Sequence, residues 1–137
     1  MWKLKAYVHA PDTDVLADWY DNHTGKQWIK LWARYYTIWH HLKQQPMPGW
    51  TGAYFHLLTG KSGVGRIGFD YKRKAFRHLG FFGPNQGEFT ILFPAEEQNW
   101  EYVPPGCIDI AVDRMKLAIS DPSKTRDAII KVPPENV

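Results

Sequence analysis

The chain has 137 residues, 44% hydrophobic, 23% charged and 15% aromatic, with a formal net charge of +3. That length suits one globular domain that buries its own core, and the aromatic density argues against disorder. The single cysteine, Cys107, excludes an internal disulfide framework and a zinc site built from several thiolates.

Residues 3–9 read as a short strand that Pro11 closes. Asp12, Thr13 and Asp14 offer cap oxygens to a short helix carrying Val15, Leu16, Trp19 and Tyr20. Asn22-His23-Thr24-Gly25 is a turn, and a longer helix is expected from Lys26 to Gln45. Its Trp28, Leu31, Trp32, Tyr35, Trp39 and Leu42 recur at steps of three and four, a stripe that faces a core. Pro46 and Pro48 stop it. Residues 54–58 are apolar, and three strands follow over 64–71, 75–82 and 88–95. They are joined by Tyr71-Lys72-Arg73-Lys74 and by Gly83-Pro84-Asn85-Gln86-Gly87, the pattern of a meander. After Pro104, Pro105 and Gly106 a last helix runs over 107–120, with Ile108, Ala111, Val112, Met115 and Ile119 at helical steps. The expected fold is α+β. A largely antiparallel sheet, the N-terminal strand plus the meander, packs on an N-terminal helical hairpin and a C-terminal helix. Residues 1–122 form one domain, and 123–137 a polar tail that is partly mobile or available to a partner.

No apolar run reaches the roughly 18 residues that cross a bilayer, and Met1-Trp2-Lys3-Leu4-Lys5 opens no long apolar signal region. A cytoplasmic protein without membrane contact is expected. Gly60-Lys61-Ser62 resembles the end of a phosphate-binding loop, but Phe55 stands where that motif needs its first glycine. Adjacent His40 and His41 point about 100° apart on a helix. His9, His23 and His56 lie on other elements, so neither a metal nor another cofactor is expected. Cys107, at a helix start, reads as a packing or capping residue.

Charge is distributed unevenly. Lys61, Arg66, Lys72, Arg73, Lys74 and Arg77 face a single anion, Asp70, between positions 61 and 78, and acidic residues flank that segment. Such a centre can steer a polyanion. Strand alternation puts Arg66 with Val64, Gly68 and Asp70 on one face. Arg77 alternates against Phe76 and His78 and can join Arg66 on an open face, with Lys72, Arg73 and Lys74 at its end. Guanidinium groups bind phosphates through paired donors. Metal-free RNA cleavage needs the 2′-hydroxyl deprotonated, the phosphorane charge offset and the leaving oxygen protonated. Arginines serve the second need, and His78 or a tyrosine the first or third. His78 reaches that face only where a bulge shifts the strand's parity.

These residues resemble the RelE/HigB-like toxin superfamily, in particular its phage-associated branch. The likeness runs over about residues 12–122. It is carried by Trp50, Phe55-His56-Leu57-Leu58-Thr59-Gly60 and Gly65-Arg66-Ile67-Gly68-Phe69. It continues in Phe76-Arg77-His78-Leu79-Gly80-Phe81-Phe82-Gly83-Pro84, Glu88-Phe89-Thr90-Ile91-Leu92 and Ala111-Val112-Asp113-Arg114. The resemblance implies a compact α+β toxin that cuts mRNA, usually in the ribosome, and is neutralised by a cognate antitoxin. It maps family basic positions onto Arg66, Arg77 and Lys61, and a family tyrosine near Tyr102. Where members often carry Lys or Arg after the last strand, this chain reads Pro94-Ala95-Glu96-Glu97-Gln98.

The first expectation is therefore a metal-independent mRNA endonuclease toxin. Arg77 offsets charge, Arg66, Lys61 and the Lys72–Lys74 turn hold substrate, and His78 or Tyr102 moves protons. The second, drawn from Glu96-Glu97, is a catalytically degenerate binding protein or inhibitor on the same fold, encoded by a phage or mobile element. A third is topoisomerase inhibition, because related toxins share the fold without the nuclease residues. Either guanidinium turned in against the helices, or held by a carboxylate, removes the basis of the nuclease reading.

Overall fold

The computed structural model describes residues 1–46, 50, 52–60 and 63–132. Lys61, Pro48 and the 133–137 end of the expected tail lie outside the described residues. Strand β1 (Lys3–Ala10) turns into the two-residue β2 (Thr13–Asp14), which pairs back on it. Helix α1 (Val15–Asp21) starts where the Asp14 carboxylate accepts from the backbone N–H groups of Leu16 (2.9 Å) and Ala17 (2.8 Å). A cap of this kind contributes about 1 kcal/mol. A 3₁₀ turn (Lys26–Trp28) leads into α2 (Ile29–Leu42), which buries Leu31, Tyr35, Ile38, Trp39 and Leu42.

Strand β3 (Phe55–Leu57) precedes the meander β4 (Gly65–Tyr71), β5 (Lys74–Phe82) and β6 (Glu88–Gln98). A short β7 (Glu101–Val103) folds back on β6, and α3 (Cys107–Ser120) follows. The polar tail departs from expectation: after a 3₁₀ turn at Pro122–Lys124, β8 (Thr125–Asp127) pairs antiparallel with β1.

The chain is α+β, with an open sheet in the order β2-β1-β6-β5-β4-β3, β7 beside β6 and β8 beside β1. The sheet is mixed rather than antiparallel throughout, because β1 runs parallel to β6, from Lys3 opposite Glu88 to Ala6 opposite Ile91. Parallel neighbours need a long crossover, and two α-helices and four strands intervene here. Hydropathy periodicity carries no strand direction, so the sequence could not show this.

Helices α1 and α2 cover one face. Phe69, Phe76 and His78 of the sheet meet Trp19 and Tyr35 there. Farther along the same face Trp50 packs on Phe55, Phe82 and Phe89 at 4.9–5.4 Å. Helix α3 lies on the opposite face over β5 and β6, burying Cys107, Ala111, Met115 and Ala118. Ile119, expected in its apolar stripe, is 58% exposed. The second sheet face is thus partly covered.

Candidate functional site

Antiparallel register sets Gly68 of β4 opposite Arg77 of β5, so Arg66 and Arg77 share the outer face as alternation requires. Gly68 makes this possible: a Cβ there would collide with the Arg66 guanidinium and sit 3.3 Å from Arg77 Cδ. Arg77 is held from three directions. Its Nε donates to Glu97 Oε1 (2.9 Å), its Nη1 donates to the Phe76 carbonyl (2.9 Å), and Nη1 lies 3.5 Å from Asp70 Oδ1. Its side chain is only 15% exposed. Arg66, by contrast, has no carboxylate within ion-pair distance among the described residues.

Tyr102 on β7 stands opposite Glu97 in register and joins this group. Burial pushes its hydroxyl above the usual range; Arg66 and Arg77 pull it down, while Glu97 adds to the rise. It therefore stays protonated at neutral pH, a donor rather than a base.

A cavity of about 300 Å³ opens beside these groups, lined by Arg34, Tyr54, Arg66, Gly68, Asp70 and Arg77. Three guanidinium groups against one lining carboxylate make it fit for an anion the size of a phosphate group. Arg34 was not among the sequence candidates. Read alone it is an exposed position on α2, and only the tertiary fold carries it round to β4. Glu97, met in the sequence as a departure from a family pattern, is the residue that neutralises Arg77.

His78 does not join the site. The register shift opposite Leu79 and Gly80 places its extra residue, Leu92, on β6 and leaves the alternation of β5 unbroken, so parity turns the ring inward. It is fully buried, with Nδ1 2.9 Å from the Tyr35 hydroxyl and its ring perpendicular to Trp19 at 4.5 Å. Its Nε2 has no partner. Burial, aided by His23, lowers its pKa to about 3, so it is neutral and sealed from substrate.

The basic turn is also directed elsewhere. Lys72 Nζ donates to the Gln27 carbonyl (3.1 Å) and lies over the Trp28 and Tyr71 rings. Lys74 is 3.7 Å from Glu96. Lys72 and Arg73 form the turn itself with φ of 50° and 67°, and Arg73 stays exposed. Among the described residues expected to hold substrate, Arg66 alone lines that cavity.

A second cavity, of about 380 Å³, lies along the stretch of β6 between its pairings with β1 and β7. Its polar groups are mostly matched to one another or to the main chain. His9 Nε2 is 2.6 Å from Asp18 Oδ2, Glu96 faces Lys74, and Arg114 donates to the Leu92 carbonyl (2.9 Å). Cys107 is buried and its thiol is pushed up by that burial, which disfavours the reactive thiolate. Among the described residues no group of three or more His, Cys, Asp or Glu is placed to hold a metal ion. No described helix is long and apolar enough to cross a membrane.

No family model matches the chain, no curated protein matches it, and no solved structure matches it.

Proposed function

We propose that this chain is a RelE/HigB-like protein that holds a ribose-phosphate backbone at Arg34, Arg66 and Arg77 without cutting it, a catalytically degenerate member of that toxin fold. The order of elements and the resemblance of the strand motifs support the fold assignment. Arg34 and Arg66 lining one cavity, with the carboxylate-held Arg77 beside them, support phosphate binding.

The observation that carries the non-cutting reading is the Arg77–Glu97 pair at 2.9 Å. An arginine that compensates a phosphorane must direct its donors at the charge that develops there. Arg77 gives Nε to Glu97 and Nη1 to the main chain, while Asp70 and Glu97 offset its charge. The expected base, His78, is buried behind the sheet, and Glu97 is engaged by Arg77. Losing one charge-stabilising donor in such a site costs roughly 10²–10³ in rate.

One observation favours the endonuclease reading. The protonated Tyr102 lies beside Arg66, which has no carboxylate partner among the described residues, a donor next to a charge stabiliser. In that reading the partners are mRNA and the ribosome, and a cognate antitoxin restrains the protein in the cytoplasm.

Two measurements decide. The purified protein is titrated with a single-stranded RNA oligonucleotide at stepped salt concentrations, and mRNA 5′ ends are mapped after induction in translating cells. Binding without new 5′ ends is expected, and Arg66→Ala should weaken it at least tenfold with little change in stability. No measurable RNA binding would overturn the phosphate-binding site. New 5′ ends abolished by Arg66→Ala would establish the endonuclease instead, and accumulating double-strand DNA breaks would point to a topoisomerase.

A further inference from the structure

The hairpin between β6 and β7 turns on Asn99 and Trp100, both with positive φ, 51° and 67°. Gln98 and Glu101 close it as cross-strand partners. Two-residue turns of this shape favour glycine at the second position, since a side chain there meets the left-handed steric penalty. Trp100 occupies that position and is 95% exposed. The indole therefore gains nothing from burial and sits on an unfavourable backbone conformation. The six other tryptophans all pack in or against the core. Local cost at an exposed residue with no structural return is the pattern of a surface kept for contact.

The ground beside Trp100 has a definite chemistry. A concave surface of about 490 Å³ runs from the indole past Tyr102 and Ile108, with the carboxylates of Glu101 and Asp109 on it and no cation among its lining residues. Asp109 lies in the first turn of α3 and offsets the partial positive charge of that helix end. An aromatic face with carboxylates around it suits a guanidinium or ammonium group, which stacks on the ring while its charge is met at the side. The same carboxylates repel phosphates, so this surface and the Arg66 cavity differ in charge although Tyr102 borders both.

We propose that the Trp100 hairpin and the start of α3 form a docking surface for a basic segment of a partner protein. An Arg or Lys side chain of that segment lies on the Trp100 indole, and Glu101 and Asp109 meet its charge. The chain as a whole carries +3, so attraction of a basic segment here is local and not a consequence of net charge.

The full chain is titrated with an arginine-rich decapeptide and, as a control, a glutamate-rich decapeptide, read by calorimetry and by tryptophan emission. The arginine-rich peptide is expected to bind and to shift the emission. Trp100→Gly and the Glu101→Gln/Asp109→Asn pair should each weaken binding at least tenfold. Trp100→Gly should also raise the melting temperature and leave RNA binding unchanged, so that lost binding is not lost folding. Undiminished peptide binding by Trp100→Gly would overturn the proposal. So would a preference for the glutamate-rich peptide, or self-association that Trp100→Gly abolishes.

Discussion

Arg77 and His78 are neighbours on one strand, and the sheet sends them into opposite environments. His78 enters a dry aromatic layer among Trp19, Tyr35, Phe69 and Phe76, where its charge is forbidden. Arg77 enters a half-wet layer, where its charge persists and is met by carboxylates from β4 and β6. Period-two alternation thus separates two residues that chemistry would gladly combine. A base and an arginine adjacent in sequence on a strand cannot share a site unless a bulge lies between them.

The contrast can be tested on each side. On the inner face, Phe76→Ala removes a fully buried ring stacked on Phe69 and should cost about 3–5 kcal/mol, read from denaturant unfolding. Acid should act on the same layer through His78. Its folded pKa of about 3 lies below the ordinary value of 6.5, so below pH 6.5 the unfolded chain binds a proton that the folded chain refuses. The stability from this group is fully present above pH 6.5 and is lost as pH falls toward about 3, at up to about 1.4 kcal/mol per pH unit. Urea midpoints between pH 7 and pH 4 measure this, and His78→Leu should flatten the slope.

On the outer face the expected effects are smaller. Glu97→Gln removes one of the two carboxylates that meet Arg77 and should cost no more than about 1 kcal/mol of stability, because the pair is partly solvated. It should tighten RNA binding several-fold by raising local positive charge. An unchanged RNA affinity would mean that Arg77 takes no part in holding the anion, even with the Glu97 charge removed.

Much of the fold was legible in the sequence. The helix over 107–120 and the meander strands came from periodicity and turn residues, because each is a local pattern with a local cause. The shared face of Arg66 and Arg77 was legible too, since no bulge separates their register pairs. Long-range arrangements were not. Nothing near β1 announces that its neighbour is β6 or that it runs parallel to it. The β7 hairpin was missed because its turn, Asn99-Trp100, lacks the glycine that normally marks one. The grip of Glu97 on Arg77 spans twenty positions and depends on a side-chain conformation. A local charge count over 61–78 reads the segment as strongly basic, whereas Glu96 and Glu97 from outside it pair with Lys74 and Arg77.

The pairing of β8 with β1 has a practical consequence. Lys5 meets Asp127 and Tyr7 meets Thr125, so the late segment shields main-chain groups of β1 that would otherwise stand bare. A shortened version ending at 122, where sequence alone would have drawn the boundary, would present an unprotected ladder rung to neighbouring molecules. Poor solubility of such a truncation would then reflect intermolecular strand addition, with no bearing on what the intact protein recognises.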